Sequence, residues 1–258
     1  MPTVETVLDG MAVVSDQGSL GLATTALIRG RQNILVDVGH YGRRQLLVQS
    51  LWRLGLTPDD IGLVVLTHAH WDHVQNVDLF PGAWFLIHPN ELQYSWAPLD
   101  SDWATPRYFP HMLRGLQVWE VTDGVEIEPG VRIIETPGHT RGHISVVVDT
   151  PDGIVVVAGD AFTDAYTAIS GRPGLIFWSE QQARSSVRRV LERGNIIYPG
   201  HDRPFRQISG GGTQYQEGVA SIRITTGFSP NQLGVTVSTE LTPVRIPETA
   251  PEARDCED

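Results

Sequence analysis

Cysteine is nearly absent from this chain. The only one, Cys256, sits in the last few residues, so no intramolecular disulfide can form and nothing indicates an oxidising compartment. No stretch approaches the ~18 apolar residues of a membrane span. The first twenty residues carry Glu5, Asp9 and Asp16 where a signal peptide would have an apolar core. A soluble, cytoplasmic protein is therefore expected. Positive charge is scarce as well: 19 Lys and Arg against 30 Asp and Glu give a net charge of −11. This argues against a nucleic-acid partner, which normally meets a basic patch, and against an anionic membrane surface. Neither a repeat of fixed period nor a low-complexity tract interrupts the body of the chain. Ser-His and Cys-His nucleophile signatures are missing. Gly210-Gly211-Gly212 lacks the strand–helix context and the lysine of a phosphate loop, and reads as a flexible turn.

Turn formers and apolar residues are abundant instead. The 258 residues include 26 Gly and 17 Pro, and 41% are hydrophobic. That composition suits a strand-rich fold with many tight turns and a sizeable core. Strands are expected at 3–8, 11–14, 23–28 and 33–36, then a helix over 43–54 with Leu46, Leu47, Leu51 and Leu54 at helical spacing. A buried strand at 61–66 and a helix at 89–96 follow. Residues 117–135 read as strands around turns at Asp123-Gly124 and Pro129-Gly130, and 143–149 with 154–157 as a hairpin. The helix over 179–193 carries the fullest signals: Ser179 as N-cap, Gln182 as its capping-box partner and Gly194 just past the end. Strand pairs followed by a helix occur in both halves. The body is assigned to residues 1–246. Residues 247–258, with two prolines and five acids against one arginine, read as a disordered acidic tail.

Four expected strands run straight into residues that can bind metal. The strand at 61–66 ends on Thr67-His68-Ala69-His70-Trp71-Asp72-His73, and 131–135 ends on Thr136-Pro137-Gly138-His139. Those at 154–157 and 196–198 end on Ala158-Gly159-Asp160 and Pro199-Gly200-His201. Imidazole and carboxylate suit zinc, manganese and iron. A recurrence of such groups at strand ends implies that His68, His70, His73, His139, His201, Asp72 and Asp160 converge at one rim. That is the description of a two-metal hydrolytic site.

Over residues 23–205 these motifs resemble the metallo-β-lactamase fold superfamily. The resemblance implies an α/β (α+β) four-layer αββα sandwich with the site at one edge between the sheets. It assigns His68, His70 and His139 to a first metal site, Asp72, His73 and His201 to a second, and Asp160 to a bridge between them. Asp37 resembles a family motif that organises loops by hydrogen bonds. The lactamase subclass with a cysteine ligand is excluded, because Cys256 lies in the tail. Glyoxalase II has His where Ala69 stands and needs a helical C-terminal domain, whereas 208–245 is rich in Gly, Pro and Thr. RNase Z-type nucleases are disfavoured by the acidic charge. The chain is most similar to the lactonase-like branch that includes acyl-homoserine lactonases. It departs from that branch by lacking the tyrosine expected near the bridging aspartate, a role open to Tyr166.

The expected cofactor is two divalent ions, Zn2+ first, with Mn2+ or Fe2+ also compatible. A hydroxide bridging them would attack a small, neutral, apolar or aromatic ester, lactone or activated aryl ether. Asp160 would bridge and Asp72 could accept the proton. Two segments between ligand-bearing strand ends are rich in aromatic residues. They nominate Trp103, Tyr108, Phe162, Tyr166, Phe177 and Trp178 as substrate contacts. His143 is expected to support the ligand loop rather than bind metal. His40 either faces the pocket or is an ordinary loop histidine, and His88 and His111 are ordinary polar residues. The partner is a small molecule, and assembly with itself or another chain is left open. Two alternatives remain: a mononuclear iron, persulfide dioxygenase-like oxidoreductase, and a non-catalytic subunit of the same fold. The second would have lost ligands, and here all seven positions are filled.

Overall fold

The computed structural model describes residues 1–208, 212–216, 221–225 and 234–238. Two sheets stack face to face. The first runs in the order Thr3–Leu8, Thr25–Arg29, Asn33–Val36, Ile61–Val65, Trp84–Ile87 and Gln117–Glu120. The second runs Gly212–Tyr215, Phe205–Ile208, Ile196–Pro199, Gly153–Gly159, Ile144–Thr150, Val131–Glu135 and Glu126–Glu128. Most neighbours are antiparallel, but Asn33–Val36, Ile61–Val65, Trp84–Ile87 and Gln117–Glu120 run parallel in the first sheet, as do Gly153–Gly159 and Ile196–Pro199 in the second. A parallel pair needs a crossover long enough to return the chain to the same edge. The helix Arg44–Arg53 makes the crossover into Ile61–Val65, and Glu180–Arg193 lies in the one into Ile196–Pro199. The repeated strand–helix pattern of the two halves is this pair of crossovers.

Three apolar layers separate four layers of structure, which is the αββα sandwich. Ala26, Ile34, Val36 and Leu63 of the first sheet meet Ile133, Val146, Val155 and Val157 of the second. Leu47 and Leu51 of the first crossover helix pack on Leu27, Leu35 and Val64, on the outer face of the first sheet. Val187 and Val190 of the second helix pack on Val147, Val156 and Ile197. Adjacent residues along each strand therefore serve opposite layers, and residues two apart the same one, as the pleat requires. Leu46, expected on the buried stripe of its helix, is 42% exposed. Leu47 and Leu51 alone fill that face of the helix. In the second helix the Ser179 hydroxyl accepts the Gln182 N–H at 3.4 Å, as a capping residue should.

Several expected elements shift. The strand at 11–14 reduces to a bridge between Met11 and Leu22 and a two-residue ribbon, Val14–Ser15 with Gly18–Ser19. Trp84–Ile87 is a central strand without a sequence signal of its own: four apolar residues flanked by turns fit helix or strand equally. Within 208–245 the described residues add an edge strand to the second sheet and a separate ribbon, Ser221–Thr225 with Gly234–Ser238. The boundary at 246, the tail 247–258 with Cys256, and Gly210 and Gly211 lie outside the described residues. No helix among the described residues is long and apolar enough to cross a membrane.

The inter-sheet layer should dominate stability. Ile133→Ala, which empties a fully buried position between the sheets, is expected to cost about 2–5 kcal/mol. Leu46→Ala should fall within about 0.5 kcal/mol of wild type, as exposed positions do. Urea unfolding midpoints test both values.

Candidate metal centre

Parallel crossovers bring the C-terminal ends of strands to one rim, and every functional side chain leaves from there. Asp37 follows Asn33–Val36, and Thr67 to His70 follow Ile61–Val65. One helical turn, Trp71–Val74, then presents Asp72 and His73. His139 follows Val131–Glu135, Asp160 follows Gly153–Gly159, and His201 follows Ile196–Pro199. The two sheets are tied at this rim by Ile144 N–H donating to Thr67 C=O at 2.9 Å and by Thr24 N–H donating to Gly200 C=O at 2.7 Å.

Two clusters of donor atoms result. His68, His70, His139 and Asp160 form one, and Asp72, His73 and His201 the other, with the atoms of each group within 4.8 Å of one another. Asp160 reaches both. Its Oδ2 is 3.3 Å from His139 Nε2 and 3.4 Å from His201 Nε2, and its Oδ1 is 3.4 Å from His73 Nε2. Asp72 Oδ2 is 3.5 Å from His201 Nε2. Gly200 permits this approach, because a Cβ there would overlap Asp160 Oδ1.

The hydrogen bonds around the cluster set the tautomer of each imidazole. The Thr67 hydroxyl donates to Asp37 Oδ2 at 2.8 Å, so its oxygen accepts from His68 Nδ1–H at 2.9 Å. His73 Nδ1–H donates to Asp37 Oδ2 at 2.7 Å, His139 Nδ1–H to Leu175 C=O at 2.8 Å, and His201 Nδ1–H to Leu22 C=O at 3.2 Å. All four leave an Nε2 lone pair facing inward. His70 is turned the other way: its Nδ1 lies 3.0 Å from His139 Nε2 and its Nε2 faces Asp102. His68 Nε2, His73 Nε2 and Asp160 Oδ1 face inward, are buried and have no hydrogen-bond partner; His70 Nε2, on the Asp102 side, has none either. Buried lone pairs left unpaired in this way cost about 1–3 kcal/mol each. Divalent cations satisfy the three inward atoms at once, and nitrogen with carboxylate oxygen is the donor set such ions take. The residues fit divalent metal, and each of the two clusters could hold an ion.

His143 is held apart from this role. Its Nε2 accepts the Asp160 backbone N–H at 3.1 Å, so Nδ1–H donates to Thr136 Oγ1 at 2.9 Å. With its lone pair engaged it cannot ligate, and it fixes the backbone of the bridging aspartate. Burial pushes the His68 and His143 rings well below the ordinary histidine value, and His139 down to about 4. Burial also opposes a charge on His73, but Asp160, Asp37 and Asp72 outweigh it and hold that ring well above. Asp160 is likewise buried, yet His201, His73 and His139 keep its carboxyl well below the usual range. Asp37 performs the organising role expected of it, from a left-handed backbone with φ of 59°. His40 lies beside Trp71, ring centroids 5.1 Å apart. His88 caps a helix and meets Glu135 at 2.9 Å, and His111 packs on Trp96.

Two acidic residues of the site were not singled out from sequence. Glu91, in the first turn of the helix Pro89–Trp96, accepts from Ala69 N–H at 2.9 Å, and from Thr140 Oγ1 and Gly142 N–H at 2.8 Å. One buried carboxylate thus spans the two loops that carry His68, His70 and His139. Burial raises its pKa. Asp102 faces His70 from the opposite side at 3.3 Å. Burial works against ionisation of Asp102, but His70 and the hydroxyls of Thr105 and Tyr94 outweigh it and hold the carboxyl below its ordinary value. Neither residue lies next to a ligand in sequence, so no local signal marks them.

A cavity of about 270 Å³ opens above the clusters, with His70, Asp72, Asp160 and His201 at its floor. Trp103 and Phe177 line it, as expected, and meet each other edge-on at 5.7 Å. The other nominated aromatics are not among its walls. Phe162 is fully buried beside Phe205 beneath the second crossover helix. Tyr108 accepts a hydrogen bond from Gln75, and Trp178 packs on Tyr94 and under Arg141. Tyr166 is exposed and is not among the residues that line the cavity. Most of the remaining apolar wall comes from Met11 to Val14, Trp71 and Leu175, and Ser19, Thr163 and Asp164 add polar groups. The N-terminal part of that wall had only an expected strand and no assigned role.

Residues 19–201 match the profile described as the Metallo-beta-lactamase superfamily. Metallo-beta-lactamase domain-containing protein 1 of Homo sapiens is 35% identical over 222 residues, which covers 80% of this chain and 74% of that protein. An N-acyl homoserine lactonase of Bacillus cereus is 27% identical over 164 residues, 60% of this chain and 62% of that one. In fold, the chain resembles the crystal structure of a putative metallo-beta-lactamase from Thermotoga maritima. The TM-score is 0.65 at 23% identity, over 80% of this chain and 99% of that one. An N-acyl homoserine lactone hydrolase bearing N-hexanoyl-L-homoserine at its catalytic metal centre gives a TM-score of 0.62 at 21% identity, over 78% and 92% of the two chains. The chain belongs to the metallo-beta-lactamase superfamily.

Glu91→Ala would strand three donors in the core between the ligand loops. A loss of about 3 kcal/mol or more in unfolding free energy is expected, read by chemical denaturation of the metal-free protein.

Proposed function

We propose that this protein is a hydrolase that uses two divalent metal ions on a small, neutral substrate with an apolar or aromatic body: an ester, a lactone or an activated aryl ether. The observation that carries this reading is the pairing of two complete donor clusters through Asp160 at the floor of an apolar cavity. Ions bound there would supply hydroxide at neutral pH by lowering the pKa of bound water to about 7, and Lewis-acid charge for a developing oxyanion. Zn2+ suits the donors best, and Mn2+ and Fe2+ take the same set.

The chain's own residues do the rest. His68, His70 and His139 would hold one ion and Asp72, His73 and His201 the other, with Asp160 available to both. Asp72 sits at the cavity floor, where it can take the proton released when water is deprotonated. Trp103, Phe177, Leu175 and the Met11 to Val14 segment exclude water and hold the apolar part of the substrate. No protein nucleophile is required. The completeness of the second cluster favours two ions over the mononuclear iron alternative. Similarity to lactonases supports the lactone among the three bond types.

Elemental analysis of the purified protein should give close to two zinc or manganese ions per chain, with turnover of one neutral class in a panel of lactones, esters and aryl ethers. About one iron per chain, with oxygen uptake and no hydrolysis, would replace this reading with the oxidoreductase. Asp160→Ala should lose metal and activity together; full activity in that variant would sink the assignment. Trp103→Ala and Phe177→Ala should raise KM with the metal content intact, and unchanged kcat/KM over several substrates would remove the cavity from the account. Chelation should lower the melting temperature, since an ion that binds only the folded state stabilises it; scanning calorimetry with and without chelator reads the difference.

A further inference from the structure

Asp102 lies outside both donor clusters, in the segment between the helices Pro89–Trp96 and Phe109–Met112. It is 5% exposed. Its Oδ1 accepts the backbone N–H groups of Ala104 and Thr105, both at 3.0 Å. Its Oδ2 accepts the Tyr94 hydroxyl at 2.8 Å and the Thr105 hydroxyl at 2.7 Å. These four donors hold the carboxylate rigidly and none of them is cationic. Oδ1 also stands 3.3 Å from His70 Nε2, within ion-pair reach of a nitrogen that is buried and has no hydrogen-bond partner of its own. The same segment grips the ligand loop a second time, through Trp71 N–H donating to Ala104 C=O at 3.0 Å.

His70 is the one histidine of the two clusters whose Nδ1 faces inward. The other four are fixed by acceptors at Nδ1, and such an acceptor would put the wrong nitrogen of His70 toward the cluster. An imidazole that ligates through Nδ1 needs its partner at Nε2. A buried carboxylate is the strongest partner available there, because it both selects the tautomer and makes the inner nitrogen a better donor. We propose that Asp102 is a positioning residue for His70: it holds the ring with Nε2–H outward and the Nδ1 lone pair on the first metal site.

The inference rests on reading the two clusters as metal sites. Its test is a titration of the metal-stripped, full-length protein with Zn2+ in competition with a chromophoric chelator. Wild type should take up two ions. Asp102→Asn keeps the shape and an acceptor oxygen but removes the charge. It should weaken one ion by about 10- to 100-fold, the range for loss of a partner to a ligating histidine, and leave the other unchanged. The same loss should persist in a His201→Ala background, where only the first cluster is complete. Tyr94→Phe withdraws one anchor from Asp102 without touching His70. It should move the same affinity in the same direction by a smaller factor, and it decides the matter if Asp102→Asn does not fold. A residue that merely braced its own loop would leave both affinities unmoved or weaken them equally, and either result overturns the proposal. If wild type binds no ion at all, the metal reading fails first and takes this inference with it.

Discussion

Everything in this molecule is arranged around lone pairs that point at one another. His70 Nδ1 and His139 Nε2 stand 3.0 Å apart, and His139 Nε2 carries no proton because its Nδ1–H donates to Leu175 C=O. With the His70 proton on Nε2, as proposed, two lone pairs face each other in a dry pocket, where water cannot screen them. The outer nitrogens of the other four histidines are hydrogen-bonded to fixed groups. Those groups are Asp37, the Thr67 hydroxyl and two backbone carbonyls. His70 Nε2 faces the carboxylate Asp102 at 3.3 Å. Asp37 serves two rings' worth of this work, since it also orients the hydroxyl that meets His68.

The fold supplies the concentration of ligands that such a site needs. Crossovers between parallel strands make strands end at a common rim in both sheets. Small residues let the ends close. Gly159 carries a left-handed backbone, φ 51°, pressed against His143 and Thr67, and Gly200 lies against Asp160. Glu91 then fastens the loop from the first sheet to the loop from the second with three hydrogen bonds. A site held across two sheets in this way cannot loosen without opening the apolar layer between them.

Above the rim the chemistry changes character. The floor of the cavity carries His and Asp side chains, and its walls are mainly aliphatic and aromatic, with Ser19, Thr163 and Asp164 among them. Such a division suits a substrate whose reactive polar bond is presented to the ions while its apolar body is held by the walls. Phe177 belongs to both regions: its ring touches Trp103 on one side and the rings of His70 and His139 on the other. The position of the substrate and the orientation of two ligands are therefore not independent in the proposed reaction.

The clustering of these seven residues was legible in the sequence because they sit where strands end, and apolar runs that stop at His or Asp mark those ends directly. The crossover helices were legible for a similar reason: caps and periodicity are local. Glu91 and Asp102 were not, because nothing local separates a buried carboxylate that fastens loops from an exposed one. Four of the six nominated aromatics are absent from the cavity walls for the same cause. Phe162 lies in the core, and Tyr108, Tyr166 and Trp178 have other neighbours, while Met11 to Val14 arrive from the far end of the chain. By itself the sequence determined which atoms could bind metal and the strand ends that carry them. Only the tertiary structure decided which nitrogen of each ring faces inward and what encloses the space above, because both depend on groups that are distant along the chain and meet only once the two sheets have packed.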